Sequence, residues 1–295
     1  MRTQHFSAFG LVPVLVLALT LIPCDGAWAQ ETAPVAVTGG ERGGPPDAAA
    51  GAAARLLYLI NVERDRAGLM PLRAHEALTR SAQLHSDDMA YQDFCNHVGS
   101  NGSTLMDRVS GQGYPYTTVG ENLAAGLSTV EKVVSSWMAS SGHRANMLNP
   151  AFVEAGLGYT YQPDDKANIR LPNGKVGGPY YHYYTLDLAS RPGAYPVVID
   201  LEAPTSDDSV VDLAIGGSGW ARDLMISSTP GFSGARWQPF VQRTTWTLLP
   251  GNGVRRVYVR LRHASGQEVD SFDDIEVIGQ EPAASRRGFV PLVSR

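Results

Sequence analysis

Between Pro192 and Pro196 the chain changes period, and this change limits the fold more than any other feature of the sequence. Before it, apolar residues recur at helical spacing. Leu56, Leu59, Ile60 and Ala67 share one stripe that begins near Ala53 and stops at Gly68, and Leu78, Ala82, His85 and Met89 share another that runs to about Tyr91. After it come only short β-forming stretches separated by Gly, Pro and Asn turns: Val210 to Ile215, Asp223 to Ile226, Arg236 to Val241, Thr244 to Leu248, Arg255 to His263 and Asp274 to Ile278. One layer architecture does not serve both patterns, so the sequence predicts two domains.

The first domain is expected to be α+β. Ala155 to Tyr161 and Tyr180 to Ala189 both alternate, and a long polar loop joins them, so they read as an antiparallel pair beside the helices. The second is expected to be an all-β, immunoglobulin-like sandwich. Its strand around Arg256 to Arg262 puts Val257, Val259 and Leu261 inside and Arg256, Tyr258, Arg260 and Arg262 outside; a solvated face explains that arginine stripe better than an anionic polymer site. The expected division is a signal peptide over 1–29, a disordered linker over 30–52, the α+β domain over 53–191, the sandwich over 192–282 and a tail over 283–295.

The targeting segment follows from Arg2, the apolar stretch from Phe9 to Pro23 and the small-residue cleavage pattern Ala27-Trp28-Ala29. It predicts export, with the mature chain starting near Gln30. Lipidation at Cys24 is the rival reading, and Pro23 argues against it. Cleavage near Gln30 removes Cys24 and retains Cys95, so no internal disulfide is expected, and Cys95 reads as a small buried hydrophobe. No second span follows that would anchor the chain in a membrane. A net charge of −5 without long basic runs excludes a nucleic-acid partner as the expectation.

Chemistry concentrates in His97, Glu121 and His143. Two imidazoles and a carboxylate are the protein ligands of an open zinc site, or else a hydrogen-bonded polar cleft. Ser128 and Glu131 have capping-box spacing, which gives Glu131 a structural role and turns it away from the site. Gly142 is expected to end the helix that this box opens and to let the chain turn at His143. His85, on the apolar stripe, reads as a satisfied buried histidine, and His182 is left outside the site.

The runs Asn61-x-x-Arg64-x-x-x-Gly68-Leu69-x-Pro71-Leu72, Ala82-x-x-His85-Ser86-x-Asp88-Met89-Ala90, His97, Gly120-Glu121-Asn122-Leu123-Ala124, Trp137-Met138-x-Ser140-x-Gly142-His143-Arg144 and Gly156-Leu157-Gly158 occur in this order. Together they resemble the bacterial branch of the CAP superfamily of cysteine-rich secretory, antigen 5 and pathogenesis-related proteins, over about residues 53–190. The resemblance implies an α-β-α sandwich, secretion, and a cleft built from two His and two Glu that holds a divalent metal in some members. Carried across, His97 and His143 match the two histidines and Glu121 the first glutamate. Ser140 stands where the second glutamate would be, so the tetrad is a triad.

The expected cleft residues are therefore His97, Glu121, Asn122, Ser140 and His143, with His97 and His143 as candidate ligands of Zn2+ or another divalent metal and Glu121 as the candidate catalytic group. The favoured function is an exported module that binds an apolar or cell-envelope ligand. The alternatives are a metal-assisted hydrolase using His97, His143 and Glu121, and a structural envelope protein without catalysis.

Overall fold

The computed structural model describes residues 46–279. The expected signal peptide, Cys24 and the C-terminal tail lie outside the described residues.

The chain opens with α1 (Pro46–Arg66). Its start corrects the expected linker, whose last residues are helical. Ala48 to Ala50 and Ala52 to Ala54 have the highest helix propensity, but an alanine run has no polar contrast and so shows no periodicity. Then follow β1 (Arg73–Ala74), α2 (Glu76–Tyr91), α3 (Leu105–Gly111), β2 (Thr118–Ala125), α4 (Val130–Ala139), α5 (Ser141–Met147) and β3 (Glu154–Tyr161). The small hairpin β4 (Ile169–Arg170) and β5 (Val176–Gly177) lies in the polar loop that leads to β6 (His182–Ser190). These strands form a sheet in the order β1-β3-β6-β2. The expected pair holds: β3 and β6 are antiparallel, with Tyr161 opposite His182 and Glu154 opposite Ala189.

Helices cover both faces. Leu56 and Ile60 of α1, with Val133 and Trp137 of α4, pack on Leu157, Leu186 and Leu188. On the other face Leu78 of α2 and Val109 of α3 pack with Ala189, while Met89 of α2 meets Leu123 and Tyr183. This is an α-β-α sandwich.

The α2 contact depends on two missing side chains. A Cβ on Gly156 would lie 2.0 Å from the Leu78 carbonyl carbon, and one on Gly158 would lie 2.3 Å from the Ala82 carbonyl oxygen. Only glycine lets helix backbone approach strand backbone this closely. On the opposite side of the domain the buried Arg64 guanidinium donates to the carbonyls of Met70, Met147, Asn149 and Phe152, which ties α1 to the turn after α5.

Two helix ends differ from the sequence reading. Thr129, not Ser128, is the N-cap of α4, accepting from the Lys132 amide at 3.3 Å. Glu131 is exposed and pairs with Arg55 of α1, away from the site. The chain turns at Ser140, whose φ/ψ of −88/122 separates α4 from α5. Gly142 and His143 therefore lie inside a second short helix, not at a helix end. Cys95 is fully buried, as expected of a small apolar side chain.

Among the described residues, the C-terminal region contains only strands apart from one 3-10 turn over Asp200–Glu202. They are β7 (Val197–Ile199), β8 (Thr205–Ser206), β9 (Val210–Ile215), β10 (Ala221–Ser227), β11 (Gln238–Pro239), β12 (Arg243–Thr247), β13 (Gly253–His263) and β14 (Glu268–Val277). Five strands in the order β11-β10-β13-β14-β8 face three in the order β12-β9-β7. Val197, Leu213, Leu224, Val257, Val259, Leu261 and Ile275 fill the space between them. The outer arginines are neutralised on the spot: Arg256 pairs with Asp274, Arg260 with Asp270 and Arg262 with Asp223.

Gly156→Ala is expected to destabilise the domain by about 3 kcal/mol or more, since backbone cannot yield as a side-chain tip does. An exposed control, Gly111→Ala in α3, meets nothing within 4 Å. Urea denaturation of the two variants checks this, and equal midpoints would contradict it.

Candidate functional site

β2 is an edge strand bonded to β6 alone in the sheet order. Strand alternation sends Glu121, Leu123 and Ala125 toward α2, and Asn122 and Ala124 toward α4 and α5. The sequence reading had no strand here, because Glu121 and Asn122 interrupt the apolar pattern with buried polar groups.

On the α2 face Glu121 is held from two sides. His97 Nδ1 lies 2.6 Å from Glu121 Oε1, and Arg108 Nη2 donates to Glu121 Oε2. Arg108 also donates to the His97 carbonyl at 3.0 Å and to that of Ser103 at 3.2 Å, so one guanidinium fixes both the carboxylate and the loop carrying His97. α3 sets the position of Arg108. Its capping box joins Thr104 and Asp107 reciprocally, and the Thr104 backbone N–H and hydroxyl hold the Asp107 carboxyl below its usual range. Burial pushes the Glu121 carboxyl up, but the pull of His85, the His97 hydrogen bond and Arg108 outweighs it and holds Glu121 down at about 2. An ionised Glu121 accepts, so His97 Nδ1 carries the proton and donates.

On the other face Asn122 donates to the His143 carbonyl at 3.0 Å and accepts from Asn146 at 2.9 Å. Asn146 also donates to the Glu121 carbonyl at 3.2 Å, which satisfies an acceptor on the strand. Trp137 donates to the Leu123 carbonyl at 3.0 Å, and its ring lies 6.4 Å from that of His143. Burial, and then the charge of the nearby His97, push His143 down to about 4, so its ring is neutral in ordinary buffers. Its Nδ1 is buried and has no hydrogen-bond partner among the described residues.

The structure thus brings Glu121 and His97 into direct contact and carries His143 to the same strand edge through Asn122. Ser140 sits at the α4–α5 junction and makes no side-chain cap bond. His85 is buried, as its stripe predicts, and donates from Nε2 to the Asn96 carbonyl at 2.9 Å, but its Nδ1 has no partner among the described residues. His182 bonds Tyr159 and stacks with it toward the other end of the strands.

Sequence reasoning missed Arg108 and Asp187. Arg108 follows the Thr104-x-x-Asp107 box, which is visible in the sequence but was not used. Asp187 interrupts the apolar run Tyr183 to Ala189 and faces Glu121 directly across the β2–β6 ladder. A charged residue in a buried strand was the available signal.

No group of three His, Cys, Asp or Glu donors converges among the described residues. Glu121 has one oxygen on His97 and the other on Arg108, so it orients an imidazole instead of completing a ligand set. Two imidazoles alone do not fit a zinc centre with three protein ligands. A cavity of about 350 Å³, lined by Ser228, Leu248, Pro250, Val254 and Arg256 among others, lies in the sandwich, away from this site.

Arg108→Met is expected to cost about 3–5 kcal/mol, because it leaves a buried carboxylate with one partner. His143 has the opposite side of the pH range to test. Its folded form resists protonation, so its contribution is complete above its ordinary pKa of 6.5 and is lost as pH falls toward 4. The stability difference between wild type and His143→Phe should shrink by about 3 kcal/mol over that window. Urea titrations at stepped pH measure it, and parallel curves would contradict it.

Residues 57–186 match the CAP, or cysteine-rich secretory protein, family. The chain is 41% identical over 105 residues to the uncharacterized protein YkwD of Bacillus subtilis, covering 36% of this chain and 41% of that one. It is 31% identical over 104 residues to the uncharacterized membrane protein YlbC of the same organism, covering 35% of this chain and 30% of that one. The chain thus spans less than half the length of these curated relatives. Among solved structures it is similar to an extracellular protein containing a SCP domain from Bacillus anthracis, with 27% identity and a TM-score of 0.41 over 50% of this chain and 45% of that one. It is also similar to a cysteine-rich secretory protein from Staphylococcus aureus, with 21% identity and a TM-score of 0.34 over 50% of this chain and 40% of that one. Residues 57–186 of this chain are a CAP domain.

Proposed function

We propose that the protein is an exported CAP-domain binding module that holds an apolar or cell-envelope ligand at the β2 edge, without metal-assisted hydrolysis. The observation that carries this reading is the double occupation of Glu121 by His97 and Arg108. A general base needs a free oxygen within reach of the proton it takes, and this carboxylate is committed on both sides and held far below neutrality. His143 is neutral, and Glu121 fixes the orientation of the His97 ring through Nδ1. The edge therefore offers oriented hydrogen-bonding groups, the kind that fix a ligand's orientation in a small-ligand site. Export is supported by the N-terminal pattern, and no helix of the described residues is long and apolar enough to cross a membrane.

The test pairs two measurements on the full chain. Zinc titration by calorimetry is expected to give no binding heat, and purified peptidoglycan or phosphatidylglycerol vesicles should retain the protein. His97→Ala with His143→Ala should lower that retention at least tenfold. Zinc-dependent peptide cleavage that disappears in His97→Ala would restore the hydrolase reading, and no retention on either probe would defeat the binding module.

A further inference from the structure

β13 runs five residues past its last pairing with β10. On one side it pairs with β14 from Gly253, opposite Val277, to Arg262, opposite Glu268. On the other side β10 pairs with it only from His263 to Tyr258, where Ser227 is the last partner. Gly253 to Val257 therefore have one edge that no strand covers among the described residues, and an uncovered edge presents peptide groups to another extended segment. The sandwich cavity of about 350 Å³ lies at this edge. Ser228 bounds it at the end of β10, Leu248 to Pro250 at the crossing from β12, and Val254 to Arg256 along β13.

The chemistry of this edge selects its occupant. Val254 is 65% exposed and Leu249 55%, so the rim of the cavity is apolar surface turned to solvent. The two arginines beside them are already engaged. Arg255 donates to the carbonyls of Leu249, Pro250, Gly251 and Asn252, and Arg256 makes two bonds to Asp274. An anionic ligand would have to break those bonds, whereas an apolar segment would not. The carboxylates of Asp207, Asp208 and Glu276 are exposed at the same end of the sandwich, Glu276 directly opposite Val254. An apolar run next to basic residues is the complement of such a surface.

The chain itself supplies that run. β14 ends opposite the start of β13, the Ile278 amide donates to the Ser206 carbonyl at 2.9 Å, and a Cβ on Gly279 would lie 3.9 Å from that of Asp207. The described residues thus end at this corner. Beyond them the sequence contains Arg286-Arg287-Gly288-Phe289-Val290-Pro291-Leu292-Val293. Phe289 is ten residues past Gly279, and that length of chain reaches up to about 33 Å. The uncovered edge is two strand spacings from β14, about 10 Å. A void of about 150 Å³ holds one benzene ring, so the larger cavity has room for the Phe289 ring and an aliphatic neighbour. Pro291 has no amide proton, which an edge position tolerates. We propose that residues 289–293 dock in cis along the uncovered edge of β13, with Phe289 in the cavity and Arg286 and Arg287 beside the carboxylates of Asp207 and Glu276. This docking belongs to the sandwich and does not depend on the binding function proposed for the β2 edge.

Hydrogen exchange of the full-length protein, followed by mass spectrometry, tests this. Amides over 248–257 and over 289–293 are both expected to be protected in wild type. In Phe289→Asp both sets should exchange about tenfold faster. Leu249→Asp combined with Val254→Asp should free 289–293 in the same way, while the amides of β6 keep their wild-type rates in both variants. Equal exchange over 248–257 in wild type and Phe289→Asp overturns the proposal. Protection that is lost on dilution also overturns it and assigns the edge to a second copy of the chain. Protection that arises only when peptidoglycan is added overturns it in favour of an outside ligand. If the Leu249 and Val254 double variant fails to fold, Phe289→Asp still decides, because its substitution lies outside the described residues. Failed retention on envelope probes would defeat the binding function and leave this docking standing.

Discussion

The backbone of α2 lies directly on the backbone of β3, and the rest of the CAP domain is arranged around that contact. Gly156 and Gly158 remove the two side chains that would hold the helix away. At this separation short polar residues of α2 can reach the sheet: Ser86 bonds Thr185 of β6 at 2.9 Å, and Gln83 reaches Tyr159 and Thr160 of β3. Had larger residues stood at those glycines, long apolar side chains would have been needed to fill the layer. The close approach thus creates a polar floor, where Ser81, His85, Glu121 and Asp187 replace the usual apolar filling.

That floor explains the electrostatics of the site. A carboxylate buried at a sheet edge is tolerated only with strong partners, and Glu121 has a guanidinium and an imidazole at once. The family pattern would place a second glutamate where Ser140 stands, on the α4–α5 side of β2. This chain instead has a second carboxyl on β6, below the strand and on the opposite face from Asn122. The two arrangements are not equivalent. Ser140 lies at the α4–α5 junction, whereas Asp187 lies opposite Glu121 in the β2–β6 ladder.

The two domains also meet through a buried charge group. Arg73 of β1 pairs with Glu202 and with Asp273 of β14, both at 2.8 Å, and Asp273 accepts the Ile199 amide at 2.7 Å. The connecting turn is strained to allow this. Asp200, Leu201 and Glu202 have φ of 43°, 61° and 65°, in the left-handed region that side chains disfavour. The strain brings the Leu201 carbonyl to Asn61 and the Glu202 carboxylate to Arg73 and the Ala74 amide. Residues from α1 and β1 thus hold the connection between the CAP domain and the sandwich.

Much of this was legible in the sequence, because periodicity records which face of an element is buried. The stripe through Leu78, Ala82 and Met89 showed α2, the alternation through Tyr180 to Ala189 showed β6, and the shift after Pro196 showed the strands of the sandwich. The motifs around His97, Glu121 and His143 pointed to residues that the structure brings to the β2 edge. Where contrast was missing the reading failed: an alanine run concealed the start of α1, and buried polar groups concealed β2. The sequence by itself determined the layers, the order of the strands' partners in part, and the residue types available at the β2 edge. Only the tertiary structure decided what those residues do. How Glu121 is engaged depends on His97 and Arg108, which a loop and a separate helix bring to its two oxygens through tertiary packing.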